Sequence, residues 1–270
     1  MLEEKKRGWL ANEDRRKRRE SPETLTDEDV EKLIFKIDAQ KDYVSPTFDK
    51  DIDNMVRLRD KALIALTWTF FKRGGEILNL KRKDIVKTDK ELIISFNIFK
   101  KQKRCKICPK CGEVNGFRNR FCRKCRESLE NVKIQLLGGK LQVSKRKSLS
   151  YKFIKYVCDW LEIFDKHTEK MPGREDFLLF PPLRIRFTTA TFRFDKPMTI
   201  QNFDRILKRL DPSMTSCLFR YGGAEKFLSL GYTPYELKEI GDWESSSMPE
   251  VYARRKGLTK VQLRWSEDTR

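Results

Sequence analysis

The sequence predicts an α+β protein that is mainly helical, with a small antiparallel three-stranded sheet and a cysteine-rich insertion. Three observations predict this fold class. Apolar residues recur at helical spacing over most of the 270 residues, they alternate with the period of a strand near residues 91–99, and paired cysteines interrupt the pattern between residues 105 and 125. This length allows one substantial core with at most a small accessory module.

The first helices are predicted from a cap and two apolar segments. Thr26 can cap a helix together with Asp29, because the apolar residues that follow lie about one turn apart. Residues 58–71 read as a mostly buried helix, and residues 76–85 as a second helical piece. The pair at residues 74–75 is Gly-Gly, which permits a tight bend between them.

The second half of the chain repeats this design. Residues 151–163 are predicted to be helical, and Thr199 can cap the next helix. Thr233 and Ser247 each precede a proline and a glutamate at the spacing of a capping box. The last of these caps places Tyr252 early on a short helix.

Three strands are predicted between the two helical halves. They cover residues 91–99, 132–136 and 141–143, and the Gly-Gly pair at residues 138–139 is expected to join the last two in a hairpin.

The charge of the chain indicates a polyanionic partner. Lys and Arg number 59 against 40 Asp and Glu, which gives a formal net charge of +19. Nucleic acid is favoured because cations that neutralise phosphates release condensed counterions. A membrane is disfavoured because no apolar run reaches the ~18 residues of a spanning helix and no signal peptide opens the chain.

A basic arm is predicted at residues 1–25, with too little apolar content to fold alone. It is expected either to touch the DNA backbone or to serve as a solvated linker. Its candidate DNA contacts are Arg15, Arg16, Lys17, Arg18 and Arg19.

The cysteines predict a metal site rather than a disulfide framework. Five of the seven fall between residues 105 and 125, which also favours a cytoplasmic protein. Two Cys-x-x-Cys pairs supply four thiolates for one structural zinc per chain, in a zinc ribbon over residues 104–130. The expected ligands are Cys108, Cys111, Cys122 and Cys125. Cys105 lies at a spacing that would let it replace Cys108.

Two segments resemble the signatures of the tyrosine recombinase (phage integrase) family. Residues 61–80 (KALIALTWTFFKRGGEILNL) resemble the first, in which a helix ends at an arginine, here Arg73, followed closely by a glutamate, here Glu76. Residues 217–254 resemble the second, with its arginine, a Gly followed by His or Trp, and a terminal tyrosine. The matching residues are Arg220, Trp243 and Tyr252, at spacings of 23 and 32 residues that fit the family.

The resemblance implies a tyrosine recombinase catalytic-domain-like helical fold and a site-specific recombinase or integrase. Such an enzyme cuts and rejoins DNA through a 3′-phosphotyrosyl intermediate, without a nucleotide cofactor or a catalytic metal. Tyr252 is the implied nucleophile, and Arg73 and Arg220 the implied phosphate ligands. Trp243 would donate its indole N–H or pack behind the tyrosine, and Glu76 would orient Arg73.

The resemblance also implies a general acid and the partners of the protein. The acid is a lysine of the hairpin that follows the first signature, and Lys101 is favoured over its neighbours Lys100 and Lys103, which would then contact DNA. The partner is double-stranded DNA, with self-association up to a tetramer on DNA and no membrane. The composition also suits an archaeal or mobile-element protein.

Two departures from the family leave a second interpretation open. The position three residues before the second arginine is usually histidine, but here it is Cys217, and the only histidine, His167, lies elsewhere. The family usually has a clamp domain of ~100 residues where 25 residues precede Thr26 here. The alternative is a weakened or inactive recombinase-fold protein that binds DNA as an accessory or regulatory factor. The expected domains are residues 1–25 (arm), 26–255 (catalytic domain, interrupted by the ribbon) and 256–270 (tail).

Overall fold

The computed structural model describes residues 25–41, 43–44, 50–88, 92–100, 103–137, 140–148, 151–186 and 189–255. Its helices are α1 (Asp27–Ala39), α2 (Lys50–Phe70), α3 (Gly74–Leu78), α4 (Tyr151–Thr168), α5 (Ile200–Leu210), α6 (Ser216–Ser229), α7 (Pro234–Ile240) and α8 (Ser247–Arg255). Its strands are β1 (Ile85–Lys87), β2 (Leu92–Lys100), β3 (Lys103–Ile107), β4 (Val114–Gly116), β5 (Gln135–Leu137), β6 (Lys140–Ser148), β7 (Leu183–Arg186) and β8 (Thr189–Phe192). No helix among these residues is both long enough and apolar enough to cross a membrane.

The chain divides into two compact units. Ser95–Lys145 form one of them, called the inserted unit below. The chain before Ser95 and after Lys145 forms the other, called the main unit, which contains all of the described helices.

The core of the main unit is built on α2, which packs along α4. Residues 62–66 of α2 are all fully buried, so this stretch of the helix is apolar on every side, whereas a helix at the protein surface has a single apolar face. On α4, Trp160 is fully buried and its indole N–H donates to the carbonyl of Leu179 at 2.9 Å. Helix α2 begins at Lys50, earlier than the predicted residue 58. Its first turns are polar and contain no buried residue before Met55, so no apolar pattern indicated them in the sequence.

The bend after α2 lies at Phe71 and not at the predicted Gly-Gly pair. Phe71 has a φ of 36°, in the left-handed region, whereas Gly74 opens α3 and Gly75 continues it. The ring of Phe71 is buried against Phe227, with centroids 5.0 Å apart, and this packing holds the unusual backbone. The second helical piece is also shorter than predicted, because α3 ends at Leu78 and a 3₁₀ turn over Arg82–Asp84 leads into β1.

The predicted three-stranded sheet and its hairpin are wrong in their pairing. Among the described strands, one sheet has the order β1-β2-β6, a second has the order β4-β3-β5, and β7 pairs with β8 alone. Strand β5 therefore pairs with β3, antiparallel, rather than with β6. The apolar alternation placed the strands but carried no information on their partners, and the Gly-Gly pair at residues 138–139 lies outside the described residues.

The predicted helix caps are confirmed at Thr26, Thr199 and Thr233, whose hydroxyls each accept a backbone N–H three residues later. The cap at Ser247 is wrong by one residue. Ser246 precedes α8, its hydroxyl donates to the carboxylate of Glu250 at 2.8 Å, and its carbonyl accepts the Glu250 N–H at 2.8 Å.

Candidate active site and candidate metal centre

Arg220 joins three segments of the main unit at one guanidinium. Helix α6 places it one turn after the helix start, partly buried. One of its Nη atoms donates to the carbonyl of Phe71 at 3.1 Å and the other to the carbonyl of Gly241 at 2.8 Å. The guanidinium carbon lies 4.2 Å from the ring centroid of Trp243. The bend inside the first signature therefore contacts the arginine of the second signature, and the same arginine contacts the Gly241–Trp243 segment.

The charge of Arg73 affects the pKa of Arg220. Burial lowers the pKa of Arg220 to about 10, and the positive charge of Arg73 is the next largest cause. A guanidinium with this pKa is still charged at neutral pH. Two arginines that repel one another in a partly buried site favour an anion between them.

Arg73 faces solvent at the start of α3. Its side chain is 53% exposed, and its Nη1 donates to Oε1 of Glu76 at 2.9 Å. The second carboxylate oxygen of Glu76 accepts the backbone N–H of Arg73 at 3.1 Å. Glu76 therefore holds both the main chain and the guanidinium of Arg73.

Tyr252 belongs to the same buried cluster as Trp243, the ring that contacts Arg220. Its side chain is buried on α8, with 2% exposed, and it is the sixth residue of that helix rather than one near its start. Its ring centroid lies 5.8 Å from that of Trp243 and 5.6 Å from that of Tyr221. The structure thus brings Arg220, Trp243 and Tyr252 into one contiguous group, with Arg73 at its edge.

Other predicted site residues lie apart or outside the described residues. Cys217 is exposed on the first turn of α6. Lys101 and the five arm residues from Arg15 to Arg19 lie outside the described residues, as do the side chains of Lys100 and Lys103.

The four predicted metal ligands come together in the inserted unit. One ligand atom from each of Cys108, Cys111, Cys122 and Cys125 lies within 4.8 Å of the other three. Four thiols at this spacing can hold a metal ion. Cys105 is not part of the group, because its buried thiol lies 3.5 Å from the carbonyl oxygen of Gln135.

Each cysteine pair forms a tight turn, called a knuckle below. In the first knuckle, residues 108–112, the N–H of Gly112 donates to the carbonyl of Cys108 at 2.9 Å. In the second, residues 122–126, the N–H of Arg126 donates to the carbonyl of Cys122 at 3.1 Å. Gly112 has a φ of 72° and Arg126 a φ of 62°, so the two turns have the same left-handed ending.

The second knuckle also prepares its first thiol for a metal. The backbone N–H of Cys125 is the largest cause that lowers the pKa of the Cys122 thiol below its ordinary value, and the N–H of Lys124, the side-chain amide of Asn115 and the neighbouring Cys111 thiol act in the same direction. The Asn115 amide nitrogen lies 3.6 Å from the Cys122 sulfur. A thiolate is the form that binds metal.

Comparisons with known proteins bear on the fold. No protein-family model matches the sequence, and no curated protein matches it. Solved structures do match. The XerH site-specific recombinase in a post-cleavage complex with palindromic difH substrate aligns with a TM-score of 0.51 and 16% identity, over 91% of this chain and 52% of that one. The chain has a fold similar to that of this recombinase.

Two further structures match with lower scores. XerA recombinase aligns with a TM-score of 0.49 and 14% identity, over 92% of this chain and 65% of that one. The Tn1549 transposon integrase, in complex with circular intermediate DNA, aligns with a TM-score of 0.43 and 15% identity, over 89% and 66%. The chain spans about half the length of the XerH recombinase and about two thirds of the length of the other two.

Within the recombinase fold, sequence reasoning missed a buried ion pair beside the candidate site. The ammonium of Lys72 pairs with the carboxylate of Asp242 and donates to the carbonyl of Ile240 at 3.0 Å. Both side chains are buried. Lys72 and Arg220 thus hold residues 240–243 from two sides. A lysine directly after an apolar helix was the available signal, but its partner lies 170 residues away.

Gly241 is a second missed residue in this loop. A Cβ at this position would overlap the six-membered ring of Trp243, so only glycine lets the indole lie over the backbone. The adjacent Asp242 has a φ of 52°, a conformation that its ion pair with Lys72 helps to hold. The loop places the Trp243 ring between Arg220 and Tyr252.

Proposed function

We propose that the chain is a tyrosine recombinase that cuts and rejoins double-stranded DNA through a phosphotyrosyl bond at Tyr252. The observation that carries this proposal is the contact of Arg220 with both the bend before Arg73 and the indole that packs on Tyr252. These contacts link residues that are as many as 181 positions apart in the sequence, from Phe71 to Tyr252, which supports a common site. The recombinase fold supports the same conclusion.

The reaction follows from the residue types. The phenol oxygen of Tyr252 attacks a backbone phosphorus, the phenol proton is lost, and the bond from phosphorus to the 5′ oxygen breaks. The DNA 3′ end stays attached through phosphate to Tyr252, and the other strand end leaves as a 5′ hydroxyl. The reverse attack by a 5′ hydroxyl reseals the DNA and frees the tyrosine. One phosphoester replaces another, so no nucleotide is consumed.

The two arginines stabilise the charge that develops on phosphate. Arg73 is exposed and forks toward solvent, where an entering phosphate can meet it, and Glu76 fixes its direction. Arg220 is held by two carbonyls and one ring, which leaves part of its fork for the same phosphate. Trp243 supports Arg220 and Tyr252 by packing. Lys101 is the proposed general acid for the departing 5′ oxygen.

The burial of Tyr252 favours a second candidate function. A phenol with 2% exposure must move to reach DNA, and Cys217 supplies no imidazole beside Arg220. A protein that binds DNA through the recombinase fold but cuts it poorly or not at all would satisfy both observations. Such a protein would act as an accessory or regulatory factor.

Zinc is the metal that we propose for the four cysteines. A four-thiolate shell with two knuckles is typical of structural zinc, which closes its coordination with protein ligands and takes no part in chemistry. One zinc per chain is expected.

We also propose that the basic arm contacts the DNA backbone and that the protein assembles up to a tetramer on DNA.

The test is covalent trapping on a nicked DNA substrate that loses a short strand on cleavage and cannot be resealed. The wild type is expected to form a protein–DNA adduct that survives denaturing electrophoresis. Tyr252→Phe keeps the buried ring and should form none, while Tyr221→Phe, in the same cluster, is the matched control and should form the adduct. DNA binding by the wild type with no adduct would favour the accessory factor.

A further inference from the structure

The two knuckles share a backbone turn but differ in the residue that ends it. The first ends in Gly112, the residue that adopts a positive φ at no steric cost. The second ends in Arg126, for which the same conformation costs roughly 1–2 kcal/mol. Glycine would serve the turn better, so the metal fold does not account for the arginine. Strained residues of this kind cluster at functional sites.

The difference extends to charge. The segment 120–126 carries four exposed cations in seven residues, namely Arg120, Arg123, Lys124 and Arg126. Among the described residues none of the four forms an ion pair. The nearest carboxylate in sequence, that of Glu127, lies 3.8 Å from the ammonium of Lys110 in the first knuckle. The cations of the second knuckle are therefore available to an outside anion.

The whole inserted unit is unusually basic. Residues 95–145 contain 14 Lys and Arg against three Asp and Glu, so 51 of the 270 residues hold +11 of the net charge of +19. Not every cation is available. Lys106 has a structural role, because its ammonium donates to the carbonyl of Leu129 at 2.7 Å. Four of the exposed cations that remain lie within the seven residues 120–126.

The second knuckle is also rigid. The N–H of Arg123 donates to the side-chain carbonyl of the buried Asn115 at 2.9 Å, and Cys122 and Cys125 anchor both ends at the metal centre. Cations on a fixed turn lose less conformational entropy on binding than cations on a mobile segment. The arrangement suits a row of phosphates.

We propose that the second knuckle binds the phosphate backbone of duplex DNA, with Arg126 held at the contact by its left-handed backbone. The choice of DNA over RNA rests on the proposed function, since a recombinase acts on DNA. The contact lies outside the proposed set of Arg73, Arg220 and Tyr252. It contributes affinity without sequence readout, because phosphates carry no sequence information.

The test uses Arg126→Gly in the full chain, with one metal-loaded preparation for each variant. Glycine suits the turn, so metal content and thermal stability should equal or exceed those of the wild type. Each phosphate contact adds about 0.9 to the slope of log affinity against log salt concentration. We therefore expect the slope of Arg126→Gly to be shallower by about one, and that of the Arg123→Gln, Lys124→Gln double variant by about two.

The matched control is Lys110→Gln, which removes the same charge from the first knuckle. Its slope should equal that of the wild type. An unchanged slope in both Arg126→Gly and the double variant would overturn the proposal. So would an equal loss in Lys110→Gln, which would indicate net charge rather than a site. Tighter binding to an RNA duplex of the same sequence would overturn the choice of DNA.

Adduct formation at saturating DNA and low salt separates this inference from the proposed function. All three knuckle variants should form the Tyr252 adduct as the wild type does. If the wild type forms no adduct but the slopes change as expected, the recombinase activity is wrong and the DNA contact stands.

Discussion

The main unit and the inserted unit rely on different sources of stability. In the main unit, α2 alone buries five consecutive residues completely, and aromatic side chains such as Trp160 and Phe203 are fully enclosed. In the inserted unit, the only described apolar residues besides cysteine that are fully buried are Phe96 and Leu129, and Leu129 packs against Cys108 and Cys122. A segment of this size cannot build an adequate apolar core, and the proposed metal at its four clustered cysteines would supply the missing stability.

The comparison extends to the use of charge. In the main unit, buried cations are paired within the fold, as Lys72 is with Asp242, and they hold a loop in place. In the inserted unit, the cations of the second knuckle stand at the surface without an ion pair among the described residues. Charge therefore holds a loop of the candidate active site in one unit, whereas in the other it lies at the proposed DNA contact.

Metal removal should produce the largest difference between the units. Cys122→Ser is expected to lose the metal and unfold the inserted unit, because metal binding supplies about 10–16 kcal/mol in structural zinc sites. The helical circular dichroism of the main unit should persist. Elemental analysis and hydrogen exchange would measure the two effects.

Cys105→Ser is the control for this prediction. Its thiol lies outside the ligand group, so it should retain one metal per chain. Loss of metal in Cys105→Ser but not in Cys122→Ser would contradict the assignment of ligands.

Truncation of a core side chain in the main unit should destabilise the main unit and leave the metal content of the inserted unit unchanged. Trp160→Ala empties a fully buried site of the main unit and is expected to cost about 3–5 kcal/mol of unfolding free energy without affecting metal content. Phe35→Ala removes an aromatic ring that is 71% exposed and should change stability by no more than about 0.5 kcal/mol. Chemical denaturation followed by circular dichroism distinguishes them. Equal losses would mean that the core is placed wrongly.

Substitutions of the two arginines of the candidate site should both slow cleavage, but only one of them should lower the stability of the fold. Arg73→Lys and Arg220→Lys should each slow adduct formation on the order of a hundredfold, by comparison with lost oxyanion donors. Arg220→Lys should also lower stability by about 1–3 kcal/mol, since two carbonyls lose their donor, whereas Arg73→Lys should not. An Arg73→Lys variant that cleaves at the wild-type rate would remove Arg73 from the site.

The smallest effect is expected at Cys217. Cys217→His restores an imidazole beside Arg220 and should speed adduct formation by about tenfold at most, below the full range of general acid–base catalysis. Cys217→Ala should leave the rate unchanged, because the thiol is exposed on the first turn of α6. If neither variant alters the single-turnover rate, position 217 has no catalytic role in this chain.

The sequence predicted what depends on neighbouring residues. The caps at Thr26, Thr199 and Thr233 were found because a hydroxyl and a backbone N–H three residues apart decide them locally. The cluster of four cysteines was predicted because each pair spans a single turn. The bend at Phe71 was missed, since the Gly-Gly pair beside it is the stronger local signal and the packing of Phe71 is not local.

Long-range partners could not be predicted. Strand β5 was assigned to β6, its neighbour in sequence, but pairs with β3. The ion pair of Lys72 and Asp242 joins residues whose separation no periodic pattern encodes. The set of Arg73, Arg220, Trp243 and Tyr252 was predicted from the order of two signatures, while its geometry, including the burial of Tyr252, came only from the fold.

The most direct test of the proposed mechanism is to identify the residue that carries the DNA. The trapped adduct would be digested with trypsin and nuclease, and the modified peptide sequenced by tandem mass spectrometry. We predict a nucleotide joined through its 3′ phosphate to Tyr252. A nucleotide on any other residue, or one joined through its 5′ phosphate, would contradict the proposed mechanism.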